Sequence, residues 1–282
     1  MSSSLYLSKK LKSTKEIEDI VSTMKAFANY NIQNAKRKLP HLRKYHRSIE
    51  DAAGDIVTIF PSLANLEQNL SEKTIFVLFL SQEGLCGFFN ENIIDFFKTI
   101  PKENYKTVIV GEIGAQEANV QNIFFDHYIK GATNVESIDT HTEELSIYLN
   151  EVVLKENLST LNLVYAKHND MASYDVVVKK VLPPDFSVFH KKSINKKPLL
   201  YLESHDVLNA LIKEYLYISC YRAFIESVAS ENQERFNGMN QARNSIKERE
   251  QSIKLELNAF RQKGITEELL EIVTTYRAMI KK

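Results

Sequence analysis

The chain has 282 residues, and its 44% hydrophobic and 26% charged residues are ordinary for a soluble protein. Lys plus Arg and Asp plus Glu are equal at 36 each, so the overall charge does not indicate a nucleic-acid or anionic-membrane partner. Two distant cysteines, the lack of a signal-peptide core and the lack of an apolar run near about 20 residues predict a reducing, cytoplasmic setting. Any association with a membrane is therefore expected to occur through partners.

The first 60 residues are predicted to form a long helix. Ser13, followed three residues later by Glu16, has the pattern of a capping box or an early helical turn. Apolar residues then follow at coiled-coil spacing, with two more that widen the stripe: Ile17, Val21, Met24 and Ala28, with Ile20 and Phe27. Pro40 is predicted to interrupt the helix for a single turn, and Pro61 to end it.

The segment Lys36–Arg47 is strongly basic, although the whole chain is neutral. A solvated helix face, a nucleic-acid contact and a contact with an acidic protein partner are all compatible with such a run. Tyr45 is the one aromatic residue within it, which speaks against nucleic acid. The residues alone do not choose among these three functions.

Residues 72–200 have the pattern of a small α/β domain. Four segments have strand composition: Thr74–Leu80, Tyr105–Val110, Leu161–Tyr165 and Val176–Val181. Two have helical composition: Asn90–Ile100 and Leu145–Leu154. The alternation predicts a largely parallel sheet, which the chain leaves through Pro183, Pro184 and Pro198.

Residues 205–282 contain no proline and only two glycines, Gly238 and Gly264. Their apolar residues recur at helical spacing, which predicts one helix on the order of 100 Å long. So long an amphipathic helix needs a partner, and the N-terminal helix is the candidate. The predicted fold is α/β plus long helices, with an antiparallel coiled coil of the N- and C-terminal helices flanking the α/β domain.

The segment Ser81–Asn90 (SQEGLCGFFN) follows a buried strand and precedes a helix, which is where phosphate-binding loops lie. It has neither G-x-G-x-x-G nor the Walker ending, and no Lys or Arg, so a turn whose glycines relieve backbone strain is favoured over a nucleotide site. Gly111–Gly114 (GEIG) is a weaker signal still. Cys86 has no identifiable base partner, which favours a packed residue over a nucleophile.

The seven histidines show no metal-ligand spacing. The triplet His168, Asn169 and Asp170 could imitate an acid–base cluster, but no nucleophile motif accompanies it, so surface-loop residues are favoured. We therefore predict no catalytic residue, no cofactor site and no metal site.

Three motifs follow one another over nearly the full chain. In the N-terminal helix, a pattern of the form I-x-S-x-x-x-T-x-K-I-T-x-A-M is matched by Leu11, Ser13, Ile20 and Met24. In the central domain, S-[DE]-[RK]-G-L-C-G-x-[LFY]-N is matched by Ser81, Gly84, Leu85, Cys86, Gly87 and Asn90. In the C-terminal helix, A-S-E, M-x-x-A-x-x-N and R-Q-x-x-I-T-x-E-[LI]-x-E-I are matched by Ala229–Glu231, Met239, Ala242, Asn244 (shifted by one residue) and Arg261–Ile272. Together they resemble the gamma subunit of F-type rotary ATP synthases, whose fold is two long helices flanking a Rossmann-like domain.

The chain departs from this pattern in two places. Ile17–Asp19 replace the T-x-K of the first motif, and Asn29–Ile32 replace the first part of a basic cluster, whose charges come later, at Lys36–Lys38. The segment Leu11–Ala28 is closer to the divergent gamma subunits of alternative, N-type ATPases.

The resemblance implies a non-catalytic rotor shaft without a cofactor. Its coiled coil would lie in the bore of a ring of alpha and beta subunits, and its globular domain would contact the epsilon subunit and the membrane c-ring. It would couple ion flow through the membrane sector to conformational cycling of the catalytic beta subunits, with no nucleic-acid partner and no direct membrane insertion. The implied location is peripheral, on the cytoplasmic face of the cell membrane or the matrix or stromal equivalent. The alternatives are a free coiled-coil scaffold and a nucleotide-binding α/β protein.

The resemblance also implies specific contacts. Arg261 and Gln262 match a polar contact with a catch loop of beta, and Met24, Lys25 and Arg235 would meet an acidic lever segment of beta. The apolar C-terminal tip is expected to turn in a bearing, with coiled-coil core as the alternative: Leu269, Ile272, Val273, Tyr276, Met279 and Ile280.

Overall fold

The computed structural model of the protein describes residues 2–65, 73–156, 160–169, 173–186, 189 and 200–280. Residue 72, Pro198 and Lys282, at which predicted segments begin or end, and Asp170 of the predicted surface loop lie outside the described residues. The chain divides into two compact units: unit 1 is Met1–Phe27 with Phe236–Lys282, and unit 2 is Ala28–Arg235. The predicted segments 1–60, 72–200 and 205–282 follow secondary structure, whereas these units each contain part of both long helices.

The N-terminal helix, α1, extends from Ser2 to Ile59 and is followed by a short 3-10 helix at Pro61–Asn65. The predicted helix over the first 60 residues is confirmed, and Ser13 lies inside it, three turns after its start, so the capping-box alternative for Ser13 and Glu16 does not apply. The predicted interruption at Pro40 is wrong. Pro40 is exposed, so the backbone hydrogen bond that it cannot donate is missing on the solvent side of the helix. Leu39 and Leu42 beside it are buried, and their packing keeps the helix continuous.

Unit 2 is built on a five-stranded sheet in the order β3-β2-β1-β4-β5. Its strands are β1 (Thr74–Phe79), β2 (Tyr105–Val110), β3 (His127–Ile129), β4 (Thr160–His168) and β5 (Tyr174–Leu182). Its shorter helices are α2 (Phe89–Thr99), α3 (Glu112–Val120) and α4 (Ile138–Glu156). The first four strands are parallel and β5 is antiparallel to β4, which confirms a largely parallel sheet. The predicted elements do not include α3 and β3, which are short, and the predicted helix at Leu145–Leu154 begins later than α4 does.

Both faces of the sheet are covered, which explains the unbroken apolar run of β1. Alternate residues Ile75, Val77 and Phe79 pack with α1, α4 and the C-terminal helix, whereas Phe76 and Leu78 pack with α2 and α3. The sheet therefore lies between two apolar clusters.

The C-terminal helix, α5, extends from Ser204 to Ile280 and pairs with α1. In unit 2, Tyr45 Oη donates to Glu214 Oε1 at 2.9 Å and Asn31 Nδ2 donates to Asn232 Oδ1 at 3.3 Å. Residue numbers fall along α1 as they rise along α5, which confirms the antiparallel pairing that the periodicity predicts.

In unit 1 the same two helices bury a narrow seam: Thr14, Val21, Met239, Ile253 and Leu257. Lys25 Nζ lies 5.1 Å from the ring centroid of Phe236, in the same antiparallel sense. No helix among the described residues is long and apolar enough to cross a bilayer.

Candidate functional site

The turn that carries the second motif is held by Asn90. The Ser81 amide donates to Asn90 Oδ1 at 2.9 Å, and Asn90 Nδ2 donates to Ser81 Oγ at 2.8 Å. Leu85 and Gly87 both have left-handed backbone, with φ of 62° and 58°, so glycine relieves strain at only one of the two positions. Between them Cys86 is buried, and burial raises the pKa of its thiol, as expected for a packed residue rather than a nucleophile.

The edge of the sheet where a nucleotide would bind is occupied by the Gln82 side chain. Gln82 Oε1 accepts the amide of Gly131 at 2.7 Å and that of Glu112 at 3.3 Å, and Gln82 Nε2 donates to Glu112 Oε2 at 3.2 Å. The amide at the start of α3 is therefore already paired, and a carboxylate stands beside it. Both facts disfavour a phosphate there, because a helix N-terminus binds an anion through free amides.

Arg235 connects this turn to α5 through several hydrogen bonds of its guanidinium. Its guanidinium, 2% exposed, donates to Glu231 Oε1 at 2.6 Å, to Asn232 Oδ1 at 3.1 Å and to the Gly84 carbonyl at 3.1 Å. It also reaches the Glu83 carbonyl at 3.3 Å. Burial raises the pKa of Glu231, and the charge of Arg235 opposes that shift.

The predicted contact of Arg235 with the acidic lever of beta stays a prediction. In the structure the donors of its buried guanidinium are directed into the turn of its own unit. The contact of Arg235 with the turn was not predicted from the sequence, although the adjacent A-S-E motif at Ala229–Glu231 was an available signal for it. Arg235 locks the turn to α5.

The other predicted contact residues lie in unit 1. Met24 and Lys25 are half-buried, and Arg261 and Gln262 are exposed. Leu257 is the last buried residue of α5 among the described side chains, so the R-Q pair begins the part of the helix that α1 does not cover.

The apolar tip beyond that point is exposed rather than packed in a coiled-coil core. Leu269 is 57%, Ile272 65%, Val273 44% and Tyr276 64% exposed, and Met279 and Ile280 are exposed as well. On α1 the predicted seam is also narrower than expected, because three of its members face solvent: Ile17, Ile20 and Phe27. For Ile20 and Phe27, which only widen the predicted stripe, the reason is geometric, since a two-helix seam covers only about two residues in seven.

Comparison with known proteins identifies the family. A family model described as ATP synthase matches residues 4–279. The chain belongs to this ATP synthase family. A relative named ATP synthase gamma chain, from Clostridium botulinum (strain Kyoto), is 28% identical over 276 residues, which cover 94% of each chain. A second relative of the same name, from Clostridium perfringens (strain SM101), is 28% identical over 285 residues, which cover 95% of each chain. The predicted membership of the gamma-subunit family is confirmed.

Solved structures support the fold. A chain of the Euglena gracilis mitochondrial ATP synthase superposes with a TM-score of 0.65 at 19% identity, covering 99% of this chain and 95% of that one. A chain from the central stalk and c-ring of the Tetrahymena thermophila enzyme gives 0.59 at 19% identity, covering 79% and 99%. The predicted combination of two long helices and a Rossmann-like domain is thus confirmed as a known architecture of this family.

Proposed function

We propose that this gamma-family chain is the non-catalytic central shaft of a rotary ATP synthase, with unit 1 turning inside a ring of alpha and beta subunits. The observation that carries the proposal is the exposed apolar surface of unit 1. On α5 it includes the exposed large apolar side chains after Leu257, and on α1 it includes Ile17, Ile20 and Phe27. Exposed apolar surface of this extent marks an interaction site in a folded protein.

The asymmetry of this surface supports a mechanical role. A shaft made of two unequal helices meets three chemically identical beta subunits with different residues. It can bias their conformations only to the extent that it interacts unequally with them, and rotation then passes each subunit through every state. In this proposal the chain supplies no catalytic group and needs no cofactor.

The remaining contacts follow the same proposal. The globular unit would meet the epsilon subunit and the c-ring, which places the chain peripherally on the cytoplasmic face of the membrane or its organellar equivalent. Met24 and Lys25 would meet the acidic lever of beta, and the exposed tip would turn in an apolar bearing. The closeness of Leu11–Ala28 to N-type gamma subunits stays a prediction.

Arg261 and Gln262 provide the direct test. Both side chains are exposed and polar at the start of an apolar segment, and charged hydrogen bonds to a partner contribute about 1.5–3 kcal/mol each. We expect Arg261→Ala with Gln262→Ala to reduce ion-driven ATP synthesis of the assembled complex by about tenfold or more. The measurement is synthesis in vesicles that contain equal amounts of complex.

The matched control is Glu151→Ala with Lys155→Ala. These residues form an exposed ion pair on α4, at 3.0 Å, and their loss removes two polar surface residues from the globular unit. This variant should synthesise ATP at the normal rate. Equal rates for both variants and the unchanged chain would contradict the assignment of Arg261 and Gln262.

A further inference from the structure

A pocket in unit 2 is lined by cations from three elements. Arg43 of α1, Arg222 of α5 and Lys167 at the end of β4 surround it, together with His168 and Asn169. Its described wall contains three cations and no carboxylate. Arg43 belongs to the basic run Lys36–Arg47, which the rotor function leaves unexplained.

One buried carboxylate is shared by two of these three cations. Glu226, whose side chain is fully buried, accepts from Arg222 Nε at 2.8 Å and lies 3.7 Å from Arg43 Nη2 through the same oxygen. Among the described residues, the terminal nitrogens of Arg222 and the ammonium of Lys167 have no hydrogen-bonding partner. Arg235, by contrast, uses its guanidinium entirely within the chain.

The positive charge of Arg222 affects the pKa values of two neighbouring side chains. Burial lowers the pKa of Lys179 to about 8, and the charge of Arg222 contributes to that shift. Burial also lowers the pKa of His46 to about 3, with the charges of Lys179 and Arg222 acting in the same direction. Carboxylates lie near as well, since Glu50 acts on Arg222 and Asp175 accepts from Asn169 Nδ2 at 2.8 Å.

We propose that this cationic pocket, formed by Arg43, Lys167 and Arg222, docks carboxylates from an acidic segment of another subunit of the complex. The inference rests on the proposed function, which supplies the partner subunits. Guanidinium groups favour planar carboxylates, and two arginines held by separate helices can grip acidic side chains that arrive from solution. The exposed side of Arg43, 44% accessible, leaves room for their approach.

Zero-length coupling tests the contact directly. In the intact complex a water-soluble carbodiimide activates a carboxylate, and a neighbouring lysine amine displaces the urea, losing a proton and forming an amide. We expect Lys167 to be joined to an Asp or Glu of another subunit, as identified by mass spectrometry. Lys167→Arg keeps the charge and should abolish that product, whereas Lys180, exposed on β5, should give none.

Charge reversal provides a second readout. Arg43→Glu with Lys167→Glu should raise the dissociation constant of the partner subunit about tenfold, because two attractive contacts become repulsive. The dissociation constant is measured in a salt titration. Lys44→Glu with Lys180→Glu makes the same change of charge outside the pocket and should have no such effect. Thermal unfolding of each free chain checks that the variants fold.

Three results would overturn the inference: coupling of Lys167 only within its own chain, no coupling, or equal salt sensitivity of the two variants. Protection of Lys167 from acetylation by inorganic phosphate in the free chain would also overturn it and assign the pocket to a small anion. Failure of the chain to co-purify with alpha and beta subunits contradicts the proposed function itself, and it is detected before the coupling step.

Discussion

Replacing Arg235 by alanine is expected to lower the free energy of unfolding by about 3–5 kcal/mol, the usual cost of removing one partner of a buried ion pair. Glu231 would stay buried without its cation, and the Gly84 and Glu83 carbonyls would lose their donor. Urea unfolding of the isolated chain measures the change. Arg249→Ala removes an exposed arginine from the same helix and should stay within about 0.5 kcal/mol.

The loss should also depend on pH. The folded-state pKa of Glu231 is raised above its unfolded value, so the stability that its protonation contributes is complete below about pH 4 and is lost as pH rises. Without Arg235 the folded-state pKa of Glu231 is higher. The free energy of unfolding of the variant therefore keeps falling to a higher pH than that of the unchanged chain, by no more than about 1.4 kcal/mol per pH unit.

Arg235→Ala should therefore be more destabilising near pH 8 than near pH 5. The double variant Arg235→Met with Glu231→Gln removes both charges. Compared with Arg235→Ala, it should recover most of the lost stability at about pH 8. An equal loss at both pH values, with no rescue, would show that lost packing dominates.

Replacing Gly111 by alanine is expected to lower the free energy of unfolding by about 3 kcal/mol or more, since strain and overpacking act together. Gly111 has φ of 109°, and a Cβ there would lie 2.4 Å from the Leu80 carbonyl oxygen and 2.6 Å from that of Ser81. Backbone, rather than a flexible side chain, would have to move. The readout is again urea unfolding of the whole chain.

Gly84→Ala is the matched control from the neighbouring turn. A Cβ there meets nothing within 4 Å among the described residues, and the backbone is not left-handed. The substitution should change stability by no more than about 0.5 kcal/mol. If both substitutions lowered the free energy of unfolding by a similar amount, the close approach of the ends of β1 and β2 would not be the explanation.

Glycine positions show how far sequence reasoning extends. The sequence motif points to Gly84 and Gly87, and only the second adopts the left-handed backbone that a turn glycine implies. The GEIG segment is a weak signal for phosphate binding, yet its first glycine allows two strand ends to meet. Its second, Gly114, packs α3 against Leu80, where a Cβ would lie 2.0 Å from that side chain's own Cβ. Local patterns cannot reveal a close approach between segments about 30 residues apart.

The residues by themselves determined the two long helices, their antiparallel pairing and the covered parallel sheet, because these depend on periodicities of 3.6 and 2 that are written locally. They also carried the three motifs that identify the family. Only the tertiary structure decided where individual side chains are used. It places Arg235 inside its own unit, Arg43 and Arg222 at an open pocket, and the apolar Ile20 and Phe27 on a solvent face. Those outcomes depend on neighbours that come from distant parts of the chain, so the amphipathic pattern of a helix shows that it has a partner but not which side chains the partner leaves free.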